Sequence, residues 1–134
     1  TEPGGPGGNR IYSAQTCEKT ADYQSGFCWR EAGGAAVKIA VGTDVWVVSL
    51  DGGIFRRDGG AWTRIDGCAR DIAANGEHLY VVGCDWNNGE GTVYKRFNNQ
   101  WVSTRQRAKT LAVDAAGTPW LVNAAGHVFS RKAP

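Results

Sequence analysis

The run Asp85-Trp86-Asn87-Asn88-Gly89-Glu90 gathers an indole, two amides and two carboxylates within six residues. Carboxylate and amide oxygens are ligands that calcium accepts, but the spacing misses the EF-hand pattern, so the run reads as a polar loop rather than a metal site. An indole beside amides and carboxylates suits a sugar, whose C–H face stacks on the ring while its hydroxyls take the hydrogen bonds. On this reading Trp86 is the platform, Asp85, Asn87, Asn88 and Glu90 orient the ligand, and Trp62 and Trp101 offer weaker ligand sites elsewhere.

Nothing else in the chain forms a reactive constellation. His78 and His127 lack a metal or nucleophile motif, and Ser13, Ser25, Ser49, Ser103 and Ser130 lack a nucleophile elbow. Asp44, Asp51, Asp58 and Asp66 stand in turns, where Asp supports the local backbone. A non-enzymatic protein with no cofactor and no metal is therefore expected. The four cysteines include no Cys-x-x-Cys pair, which argues against zinc. Cys68 and Cys84 lie equally far on either side of Gly76, in the turn Asn75-Gly76, so an antiparallel pair would face them for a disulfide. Cys17 and Cys28 bracket a long N-terminal loop and form the second expected bridge. Two disulfides imply an oxidising compartment, hence a secreted, periplasmic or extracellular protein.

These side chains have to be positioned by short strands. The chain has 134 residues, a net charge of +2, nineteen glycines, six tryptophans and no Met. These numbers predict one turn-rich β domain, and the missing start Met a processed or excised chain. Its basic residues are scattered, which gives no nucleic-acid surface, and no apolar run is long enough to insert in a membrane. The Pro/Gly-rich segment 1–8 reads as a flexible arm, and 9–134 as the domain.

A unit recurs within that domain. Trp29, Trp62 and Trp101 are each followed ten residues later by Ile39, Ile72 and Leu111. Val45-Trp46-Val47-Val48, Leu79-Tyr80-Val81-Val82 and Pro119-Trp120-Leu121-Val122 correspond, as do Ile54-Phe55, Val93-Tyr94 and Val128-Phe129. The period is 33 from Trp29 to Trp62 and 39 from Trp62 to Trp101, the excess lying around Cys84 to Thr92. Units at about 35–67, 68–107 and 108–134, each with four short strands, describe blades of a β-propeller. Segment 9–34 supplies two further strands that complete a blade.

The patterns "IAVG", "VWVVSLDGGIFRR" and "AWTRIDG" resemble the tectonin-type β-propeller repeat. The resemblance implies a lectin that recognises surface glycans. Three units do not readily close a ring, so a homo-oligomer, most simply a dimer, is expected to complete it. The alternatives are an excised fragment of a longer propeller and a β-trefoil. For function, the alternative is a secreted protein-interaction module, an inhibitor or subunit that docks through its loops.

Overall fold

Short β-branched and aromatic runs punctuated by Gly, Asn and Asp leave little length for a helix. The computed structural model, which describes residues 7–16 and 27–130, contains only strands as regular elements. Strands β1 (Asn9–Thr16) and β2 (Phe27–Ala36) pair as a first, two-stranded sheet. The second sheet runs in sequence order through β3 (Lys38–Val41), β4 (Val45–Val48), β5 (Ile54–Asp58) and β6 (Ala61–Ile65). The third contains β7 (Ala69–Asn75), β8 (His78–Gly83), β9 (Gly91–Phe97) and β10 (Gln100–Ala108). The fourth contains β11 (Thr110–Val113), β12 (Pro119–Val122) and β13 (Val128–Ser130). All pairs are antiparallel.

Register carries the sequence repeat into three dimensions. Trp46 pairs with Ala40 and Arg56, Tyr80 with Ala73 and Lys95, and Trp120 with Ala112 and Ser130. Because successive side chains alternate between faces, one sheet face then carries Ala40, Trp46, Val48 and Ile54, and the other Ile39, Val47 and Phe55. The first of these faces packs on Ala69, Ile72, Leu79 and Val81 of the third sheet. Ala73, Tyr80, Val82 and Val93 pack in the same way on Leu111 and Leu121 of the fourth. Ile11 and Ala36 of the first sheet pack on Val47, flanked by Phe55 and Trp62.

These three seams hold the molecule together. Val48, Ile54 and Val82 are fully buried in them, and each such side chain contributes about 1.5–3 kcal/mol by leaving water. A lone meander of this size has no comparable interior.

The Cys68–Cys84 disulfide forms, with a Cα–Cα distance of 5.5 Å. Cys28, on β2, carries a free thiol, so the expected Cys17–Cys28 bridge is not made. Cys17 lies outside the described residues. So does segment 1–6 of the expected flexible arm. Within the remainder of that arm, the Gly7 carbonyl accepts a hydrogen bond from Leu50 N at 2.7 Å. The sheets are discrete, with no pairing from one to another among the described residues, so they do not make the barrel a β-trefoil requires. In a single copy, β1 and β2 pack on the second sheet instead of completing the fourth, which has three strands among the described residues.

Candidate functional site

The loop joining β8 to β9 is a rigid hairpin. Asn87 and Glu90 exchange backbone hydrogen bonds of 2.8 and 3.1 Å around Asn88 (φ 54°) and Gly89 (φ 82°). Positive φ at both central residues is the type I′ geometry that Asn-Gly favours. At its base, Asp85 accepts from Thr92 N at 2.9 Å, from the Thr92 hydroxyl and from Arg107 at 3.1 Å. The Thr92 hydroxyl above all, then Thr92 N–H and Arg107, hold the Asp85 carboxyl below its ordinary value of 3.8. Arg107 also donates to the carbonyls of Asp85 (3.0 Å) and Glu90 (2.7 Å). Glu90 in turn accepts from Ala124 N at 3.0 Å, which ties the loop to the fourth sheet.

Asp85 and Glu90 are therefore committed to the loop's own architecture. Asn87 and Asn88 stand exposed at its tip. Trp86 is half-buried and packs against the core between the third and fourth sheets, the third seam in chain order. Arg70 lies over its ring, 4.2 Å from the centroid, in a cation–π contact. The indole is thus part of a stacked pair and not a projecting platform.

Arg70 also lines a neighbouring cleft of about 430 Å³ at the second–third sheet seam. Val37, Val48, Ser49, Asp51 and Gly52 share this cleft with it, and Cys84 connects it to the Trp86 loop. The Ser49 hydroxyl donates to Asp51 Oδ1, and Gly53 N donates to Ser49 Oγ at 3.0 Å and to Asp51 at 3.3 Å. The Ser49 bond, ahead of Gly53 N–H, keeps the Asp51 carboxyl below 3.8, so it is ionised at neutral pH. The cleft thus brings a fixed carboxylate and a guanidinium together beside the exposed Val37. Gly52 closes it below: at φ 91°, a Cβ there would come 2.5 Å from Cys68 Sγ and 2.8 Å from Cys84 Sγ.

Trp62 and Trp101, the other two aromatic positions expected to meet ligand, sit at the seams. Trp62 Nε1 donates to the Gly33 carbonyl at 2.9 Å, and Trp101 Nε1 to the Asp66 carbonyl at 2.8 Å. Each indole packs where Gly34 or Gly67 leaves room, and its face carries Arg57 or Arg96 at 4.8 or 4.9 Å. They fasten each sheet to the one before it.

Arg70 and Arg107 escaped the sequence reading, because each was a scattered charge until β7 and β10 brought it to the loop. Asp51, read as a turn residue, does support its turn and also lines the cleft. Arg70 had one available signal: it lies two residues past Cys68, whose predicted partner Cys84 leads directly into the Trp86 loop. His78 and His127 are exposed. Among the described residues no group of three or more His, Cys, Asp or Glu is placed to hold a metal ion, and no helix is long and apolar enough to cross a membrane. Neither a scan of protein-family models nor a search of curated proteins returns a match to the chain.

Proposed function

We propose that the second, third and fourth sheets are consecutive blades of a tectonin-type β-propeller, and that the chain is a secreted lectin binding surface glycans at its loop face. One observation carries the binding site: Arg70 lies on Trp86 and at the same time lines the cleft that holds Asp51. A guanidinium spread on an indole keeps its N–H donors in plane, where they meet vicinal hydroxyls. Asp51 supplies a charged acceptor, and Asn87 and Asn88 supply amides from the adjoining loop. Val37, which is exposed, gives the cleft one apolar contact for the C–H face of a sugar. Trp86 holds Arg70 in place in this scheme, and the disulfide fits the oxidising surroundings of a secreted protein.

A glycan array followed by titration calorimetry tests the proposal. Wild type should bind at least one glycan class. Arg70→Ala and Asp51→Asn should each weaken that binding about tenfold or more, the loss of one charge-assisted hydrogen bond, with an unchanged circular dichroism spectrum. Wild-type protein that binds no glycan would overturn the lectin reading in favour of a protein-interaction module. Binding indifferent to both variants would overturn this cleft as the site.

A further inference from the structure

The two ends of the stack of sheets are exposed in complementary ways. At the leading end, Ile39 is 54% exposed, although its register equivalents Ile72 and Leu111 are 5% and 8% exposed. The first sheet covers Val47, Phe55 and Trp62 but leaves the inner strand β3 bare. At the trailing end, Trp120 is 45% exposed, although its equivalents Trp46 and Tyr80 are each 6% exposed. Val128, at 63%, matches Ile54 at 0% and Val93 at 1%. Each end shows the half of a seam that the other end lacks.

The tryptophan fasteners give the same result independently. Trp62 and Trp101 each donate to a carbonyl lying four residues past the tryptophan of the preceding sheet: Gly33 after Trp29, and Asp66 after Trp62. The next acceptor in this series is Arg105, four residues past Trp101, with the left-handed φ of 62° that Gly33 also has at 78°. Beside it, between the third and fourth sheets, lies a cleft of about 290 Å³ lined by Tyr80, Val93, Lys95, Thr104 and Gln106. Tyr80 there corresponds to Trp46, which meets the Trp101 ring edge-on at 6.3 Å, and Lys95 lies over Tyr80 at 5.8 Å as Arg56 lies over Trp46 at 5.8 Å. This cleft is the Trp101 slot of the next seam, without its indole. Trp29, the tryptophan that precedes Trp62 in the series, is 69% exposed on β2.

We infer that a second copy of this chain docks head to tail, its β1–β2 hairpin joining β11 and β12 as the outer strands of the fourth sheet. Its Trp29 enters the cleft and donates to the Arg105 carbonyl, and its Ile39 covers Trp120. The hairpin takes the place of β13, whose three residues are all exposed and whose sequence His127-Val128-Phe129-Ser130 parallels Arg10-Ile11-Tyr12-Ser13. Gln106 stands where Gly34 and Gly67 stand in the other seams, so the incoming ring seats against a side chain there. Two copies exchanging hairpins satisfy both ends of each, which closes the pair around a twofold axis. This inference is independent of glycan binding.

Sedimentation equilibrium on the full chain tests it with wild type, Trp29→Ala, Ile39→Lys and Trp120→Glu. All three residues are exposed in a single copy, so circular dichroism should be unchanged. Wild type should be dimeric, and each variant should raise the dissociation constant by about 30-fold or more, as loss of a buried anchor does. Mixing Trp29→Ala with Trp120→Glu should restore association, because one intact head then meets one intact tail. A wild-type monomer at every concentration would overturn the inference, and so would a dimer indifferent to all three variants, or two variants that fail to complement.

Discussion

Trp62 and Trp101 share their residue type with Trp29 and differ from it in what surrounds them. Removing Trp101 takes away an indole wedged between Trp46 and Gly67 and the donor to the Asp66 carbonyl. Trp101→Ala should therefore cost about 3 kcal/mol, the lower end for a large ring in a core, measured by urea unfolding. Asp85 provides a second test at this scale. Its carboxyl is held below 3.8 in the fold, so the stability it contributes is fully present above that value and is lost as pH falls through the lowered one. Asp85→Asn should lower the thermal midpoint at pH 7 and remove part of the wild-type decline below about pH 4, where unfolded carboxylates titrate. Trp86→Ala should also lower the midpoint, because the ring packs on the third-seam core and carries Arg70. Thermal melts across pH on the three proteins check these outcomes together.

At the scale of elements, strands and turns were legible where chemistry is local. Alternating apolar bursts, a Gly at the turn and the spacing of Cys68 and Cys84 each constrain a hairpin by its own residues, and β7, β8 and their disulfide appear. The turn, expected at Asn75-Gly76, falls at Gly76-Glu77, and a register shift between Ala69 and Asp71 restores the alignment of Cys68 with Cys84. The binding surface was less legible, because Arg70 and Asp51 converge only when the second and third sheets pack. Trp86 read as a ligand platform since its neighbours in sequence are polar, whereas its neighbours in space are Arg70 and the third-seam core. The disulfide joins the residue before β7 to the residue after β8, and Gly52 of the β4–β5 turn rests against it with its carbonyl accepting from Ala69 N at 2.9 Å. Replacing both cysteines by serine should cost about 3 kcal/mol from the freed unfolded chain. Gly52→Ala should destabilise the oxidised protein as well, because its Cβ collides with both sulfurs at a left-handed φ. Chemical denaturation of the two variants, each oxidised and reduced, checks both.

Across the whole molecule, burial concentrates in the seams and falls off toward both ends. Val48, Val81, Val82 and Val93 are at most 1% exposed, while β13 is exposed throughout. Native-state hydrogen exchange should accordingly find the slowest amides on β4 and β8 and much faster ones on β13, as stability is distributed unevenly in stacked repeats. Each fastening indole touches the preceding sheet through a main-chain carbonyl and the space beside a glycine. That part of the contact therefore reads backbone and not side-chain identity. Neighbouring units can diverge in their loops, as the 33- and 39-residue periods have done, without spoiling the fastener. Gene duplication could then lengthen such an array by whole units, each new copy arriving with its latch already cut to fit.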